Sequence, residues 1–295
     1  MTDPFLSANA LVTADGASLP LRTWIPKENP RAVLIALHGF NDYSNAFADA
    51  GDRWASQGVL VYAYDQREFG ANDDVGGWPG IDTLANDLSQ AVHVISASHP
   101  GLPLYLIGES MGGSVVMLAV ARGLSQIAGT ILASPAVWGR ETMNSFYSAA
   151  LWVGAHTVPW VKVSGQRLGI KPSDNDPMLI ALGEDPLVIH KTRIDTVYGM
   201  VNLMDAALEA APSVRIPTLV LYGAHDQIIP KNATAKMVGR FSTPPTVVVY
   251  PDGYHMLLRD LQGDVVLDDI SAWIIRTDNP LPSGYDKGWR SFFGQ

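Results

Sequence analysis

Polar and apolar positions alternate on both sides of Asp15-Gly16 in "ALVTADGASLPLRTWIP", which predicts a hairpin closed by a tight turn near the start of the chain. The pattern then changes. "RAVLIALHG" and "VLVYAYD" are short, nearly continuous apolar runs, as expected of strands buried on both faces. Between them "NAFADAGDRWASQG" reads as a helix with a glycine stop. "IDTLANDLSQAVHVISAS" sets Ile81, Leu84, Leu88, Val92 and Ile95 on one helical stripe. "LPLYLIGES" predicts a strand and a turn, "MGGSVVMLAVARG" a helix closing on Gly123, and "IAGTILASP" a further strand. Later come "IPTLVLYGAHD" and "TVVVYPDGYH", each a strand followed by a polar loop, and a last helix in "DVVLDDISAWIIR".

Strands alternating with helices predict a mostly parallel α/β sheet covered by helices on both faces. The alternation breaks at 136–212, a helix-rich, aromatic stretch without clear buried strands, read as an inserted helical cap. Residues 1–135 and 213–276 then form the core, and 277–295 a C-terminal tail carrying Trp289, Phe292 and Phe293.

The composition narrows the chemistry. At 295 residues, 47% hydrophobic and 17% charged, the chain is globular, with room for one large domain or a domain with an insertion. Its net charge of −9, spread without acidic runs, argues against a nucleic-acid binder. The absence of cysteine removes disulfides, thiolate catalysis and cysteine metal sites. No metal-ligand cluster, phosphate loop or dinucleotide fingerprint occurs, so no metal and no cofactor is expected. The N-terminus lacks a signal-peptide pattern, and no apolar run reaches the roughly 18 residues of a spanning helix. A soluble, cytoplasmic protein is expected.

Within "LYLIGESMGGSVVMLAV", Gly108-Glu109-Ser110-Met111-Gly112 places a serine between a buried strand and the helix it opens. That context is the nucleophile elbow: a strained turn exposes the hydroxyl, and small neighbours let strand and helix approach. A serine so placed needs a base and a group to orient it. The expected chain order is serine, acid, histidine. Of the seven histidines, His255 fits best, in a loop beyond a late strand; His225 is a weaker rival because it lies on the acid loop itself. Asp226 is the acid expected to hold the imidazole, with Asp252 as runner-up. The loop "LHGFNDYS" occupies the place of the second oxyanion donor, so the backbone amides of Phe40 and Met111 form the expected oxyanion hole, while His38 and Gly39 hold that loop.

"LHGFNDYS", "YDQREFGAND", "GESMGG", "DPLV", "LYGAHDQIIP" and "YHMLLRD" together resemble the α/β-hydrolase superfamily, and more narrowly the monoacylglycerol lipase and lysophospholipase-like serine hydrolases, from Ser18 to Arg276. The resemblance implies Ser110 as nucleophile, Asp226 as acid, His255 as base and an ester of the monoacylglycerol or lysophospholipid kind as substrate. Amide, thioester, C–C and peracid chemistry use the same site and stay open, as does a non-catalytic binder of this fold. In "DQREFG" the chain departs from the pattern, with Glu68 where related sequences usually have glycine. In the cap, Phe146, Leu151, Trp152 and Trp160 are candidate acyl-pocket residues, and the outer face of the same helix is a candidate for weak peripheral membrane contact. The tail either folds back onto the domain or, left unpaired, invites oligomerisation.

Overall fold

The computed structural model describes residues 3–165, 169–278 and 280–294; Gln166–Leu168 of the expected cap and Asn279 and Gln295 of the expected tail lie outside them. Strands β1 (Phe5–Leu6), β2 (Ala10–Val12) and β3 (Ser18–Trp24) make the antiparallel start, with Gly16 at φ +89° in the hairpin turn. The core alternation follows as β4 (Ala32–Leu37), α1 (Ala48–Ser56), β5 (Val59–Tyr64), α2 (Ile81–Ser98), β6 (Leu104–Glu109), α3 (Met111–Ala121) and β7 (Gly129–Ala133). The middle of the chain adds α4 (Ser145–Thr157), β8 (Lys162–Val163), α5 (Asp176–Glu184), β9 (Thr192–Arg193) and α6 (Ile194–Ala210). It closes with β10 (Thr218–Gly223), α7 (Lys231–Arg240), β11 (Thr246–Tyr250), α8 (Gly263–Ile275) and the short α9 (Trp289–Phe293).

Among the described residues the main sheet runs β1-β2-β3-β5-β4-β6-β7-β10-β11. β3 joins β5 antiparallel, and from β5 to β11 every pairing is parallel. Helices cover both faces, as the alternation predicts. One apolar cluster joins the sheet to α2, α3, α6 and α7; the other joins its opposite face to α1 and α8 through Trp54 and Trp273. The predicted stripe on α2 is buried at Leu84, Leu88, Val92 and Ile95. α3 is buried on all sides from Met111 to Val120, which explains a helix apolar all round rather than on one stripe.

Within 136–212 the helices divide. α4 and α5 bury none of their residues, and β8 and β9 form a separate antiparallel pair. α6 packs on α3 and places Met200, Val201, Leu203, Met204, Ala207 and Leu208 in the core cluster.

Candidate active site

The sheet's parallel strands end together, and the loops at the carboxyl ends of β6, β10 and β11 carry Ser110, Asp226 and His255. β6 runs into α3 through Ser110, which takes φ +51° and ψ −112°, a conformation worth about 1–3 kcal/mol of strain for a residue with a side chain. Close packing holds it there. A Cβ at Gly112 would lie 2.2 Å from the Leu37 carbonyl oxygen, and one at Gly108 would lie 2.3 Å from the Gly112 backbone. Only glycine lets β4, β6 and α3 meet this closely. The turn is also tied to β7: the Ser110 amide donates to the Ala133 carbonyl at 2.9 Å, and the Ser110 carbonyl accepts from the Ala136 amide at 2.9 Å.

Beyond β10, Asp226 closes a turn by accepting the amides of Ile228 and Ile229 on Oδ1, at 2.8 and 2.9 Å. Its Oδ2 accepts from His255 Nδ1 at 2.8 Å, with the Asp226 side chain fully buried and that of His255 nearly so. Burial alone pushes the imidazole pKa down. The charge and hydrogen bond of Asp226, with Glu109 adding, outweigh it and hold His255 above its ordinary value. Asp252 is exposed, and His225 is exposed and stacked on Tyr254 at 5.3 Å. The carboxylate on His255 is thus that of Asp226.

The loop after β4 lies against the serine turn: a Cβ at Gly39 would meet that of Ser110 at 3.5 Å. Met111 is the first residue of α3, where an amide has no acceptor within the helix. His38 is fully buried and locked in one tautomer. Its Nδ1 donates to the Gly39 carbonyl at 2.8 Å and its Nε2 accepts the Gln66 amide at 2.9 Å. Burial depresses its pKa, so the ring stays neutral. Phe40 is half-buried, edge-on to Phe69 at 5.8 Å. In the neighbouring loop, Glu68 takes the left-handed φ +69°, and its Oε2 accepts the Gly77 amide at 2.9 Å.

A buried ionic cluster beside this site escapes the sequence pattern. Arg259 Nη2 lies 2.7 Å from Asp42 Oδ2 and donates to Glu109 Oε2 at 3.1 Å, with all three side chains largely buried. Arg259 belongs to the histidine loop, Asp42 to the loop after β4, and Glu109 stands next to the serine. Burial raises the Glu109 pKa, against the pull of Arg259. Burial disfavours the Arg259 cation, but Asp42 and Glu109 reverse this and raise its pKa. The motif "YHMLLRD" shows an arginine near the histidine, yet nothing local names Glu109, 150 residues back, or the still more distant Asp42.

Segments flanking α5 stitch onto the same loops. Asn175 Nδ2 donates to the Arg259 carbonyl at 2.9 Å, Met256 donates its amide to Pro172 at 3.0 Å, and Ser173 Oγ donates to Asp260 Oδ1 at 2.6 Å. Burial pushes the Asp260 carboxyl up to about 6. On the other side, Asn41 Nδ2 donates to Thr192 Oγ1 at 2.7 Å and Tyr43 OH donates to Asp185 Oδ2 at 2.7 Å. Of the candidate acyl-pocket residues, Leu151 packs against the core cluster, whereas Phe146, Trp152 and Trp160 are 74%, 53% and 64% exposed.

A family model described as serine aminopeptidase, S33, a hydrolase family, matches residues 28–262. The chain belongs to that family. Among similar relatives of this hydrolase is a monoacylglycerol lipase of Mycolicibacterium smegmatis, 26% identical over 91% of this chain and 97% of that protein. The human monoglyceride lipase is 26% identical over 92% of this chain and 91% of its own length. The crystal structure of a soluble variant of monoglyceride lipase from Saccharomyces cerevisiae, in complex with a substrate analogue, superposes with a TM-score of 0.78 at 20% identity. It covers 93% of this chain and 96% of that one. The shared fold is that of the α/β-hydrolases.

Proposed function

We propose that the protein is a serine ester hydrolase that cleaves monoacylglycerol-like or lysophospholipid-like lipids through an acyl-enzyme. The observation that carries this is the buried Asp226–His255 pair at the carboxyl edge of a sheet whose nearby turn holds Ser110 at φ +51°. With Nδ1–H donated to Asp226, His255 presents the lone pair of Nε2. Ser110 Oγ gives its proton to that nitrogen as it attacks the ester carbonyl carbon. The oxyanion so formed is received by the amides of Phe40 and Met111. Collapse breaks the ester C–O bond, and His255 returns the proton to the departing alcohol. Water, deprotonated by His255, then attacks the acyl-enzyme and releases the fatty acid.

The stretch 136–212 serves as the cap over this site, with α4 and α5 as its exposed part and α6 seated on the core. Leu151 turns inward and lines the acyl side. The open aromatic residues Phe146 and Trp152 of α4, with Trp160 just after it, support contact with a lipid surface, into which an exposed apolar segment can bed. Among the described residues no helix is long and apolar enough to cross a membrane.

A fluorophosphonate tests the reading: it labels folded wild-type protein at Ser110 and leaves Ser110→Ala unlabelled, and that variant loses ester turnover by about four orders of magnitude or more. Absence of labelling in folded protein would overturn the assignment. The family description favours one alternative, an amide substrate. Aminoacyl anilides run beside p-nitrophenyl esters of rising chain length, monoacylglycerol and lysophospholipid decide it. Faster turnover of the anilides would replace the lipid reading.

A further inference from the structure

The tail segment that follows α8 does not hang free. Ser283 Oγ donates to Asp269 Oδ2 at 2.6 Å, Leu281 is buried, and Tyr285 meets Tyr250 of β11 edge-on at 6.0 Å. These contacts deliver α9 to the end of the sheet, against β11 and α7. There Phe292 and Phe293 lie 6.1 and 5.5 Å from the ring of Tyr222. Tyr222 is 1% exposed and sits on β10 just before the loop that carries Asp226. On the far side of that loop, the ammonium of Lys231 stands 5.5 Å over the Phe292 ring.

The link continues inward. Tyr222 OH donates to the Ile229 carbonyl at 2.7 Å, fastening the distal end of the loop to the strand it leaves. The amide of the same Ile229 donates to Asp226 Oδ1 at 2.9 Å, while Asp226 Oδ2 receives His255. From Phe293 to the imidazole the path is therefore Tyr222, Ile229 and Asp226, and each step is a packed ring contact or a hydrogen bond.

Building on the serine-hydrolase reading above, we infer that Phe292 and Phe293 are positioning residues for the reaction: through Tyr222 they hold the turn that aims Asp226 at His255. A carboxylate that drifts by a fraction of an ångström supports the imidazolium less well and lets the imidazole turn. The effect of the tail thus falls on the chemical step, not on substrate capture. Because Asp226 raises the His255 pKa, a looser pair also lowers it.

The experiment is a pair of double variants and a cycle. Phe292→Ala/Phe293→Ala lowers kcat about tenfold with KM nearly unchanged, and moves the acid limb of the pH–rate profile to lower pH. Phe292→Tyr/Phe293→Tyr, which keeps both rings, restores kcat and the limb. Tyr222→Phe, which preserves the ring packing but removes the tie to Ile229, moves both readouts in the same direction and serves even where the alanine pair folds poorly. In an Asp226→Asn background, followed by the rate of fluorophosphonate inactivation, the alanine pair has no further effect. An unchanged kcat in folded alanine variant, a loss confined to KM, or an equal loss added to that of Asp226→Asn would overturn the inference while leaving the triad standing. Wild-type rate in Asp226→Asn alone would instead remove Asp226 as the acid, and the role of the tail with it.

Discussion

His255 is subject to opposing pushes: burial favours the neutral ring, and the carboxylates of Asp226 and Glu109 favour the cation strongly enough to lift its pKa above 6.5. In the proposed mechanism His255 must be neutral to accept the serine proton, so kcat/KM is expected to fall as pH drops through that raised value. The acid limb should therefore lie above pH 6.5 in a profile taken with a p-nitrophenyl ester. Glu109→Gln removes one of the charges that hold it up and should shift the limb to lower pH. A limb that stays in place would restrict Glu109 to a structural part. The glutamate in "GESMGG" is thus better described as a partner of Arg259 that biases the neighbouring histidine than as a base. Its identity is legible in the sequence, but its work is not, because burial and partner are tertiary facts.

At the scale of elements, the elbow depends on β4, β6 and α3 meeting where no side chain fits. Gly112→Ala would drive a methyl against the Leu37 carbonyl, a backbone atom that cannot swing aside. The expected result is a loss of about 3 kcal/mol, read as a lower urea midpoint, with activity falling further as the serine turn shifts. Such elements are the most readable part of the chain. Continuous apolar runs bounded by glycine specify β4, β5 and β6, and the 3.6-residue stripe specifies α2, because each pattern is local. The middle of the chain is less readable. α4 and α6 are both rich in apolar residues, yet one has no fully buried residue and the other packs into the core on α3, and only the tertiary neighbours separate them. Glu68 shows the same limit in miniature: a position needing φ +69° favours glycine, and here the carboxylate compensates by capturing the Gly77 amide.

Across the whole molecule, Arg259 fastens parts of the chain that are remote in sequence: the histidine loop, the loop after β4 and the serine turn. Through its carbonyl and its neighbours it also meets the segments flanking α5. Arg259→Met leaves Asp42 and Glu109 buried without their counter-charge, an arrangement that costs about 3–5 kcal/mol. Urea unfolding should show that loss, and show it smaller near about pH 5 than near about pH 8, since a raised carboxyl pKa lets protonation relieve the repulsion. Equal losses at both would exclude charge as the cause. The contrast between the buried core and the exposed α4 segment has an optical side. Trp54 and Trp273 lie sealed in the body, at 0% and 1% exposure, whereas Trp152 and Trp160 stand open on and just after α4. Of the eight tryptophans these four mark the extremes, a blue-emitting pair shielded from aqueous quenchers and a red-emitting pair within their reach, with Trp24, Trp78, Trp138 and Trp289 half-buried between them. Wetting of the α4 segment can be followed through the red-emitting pair without attaching a dye.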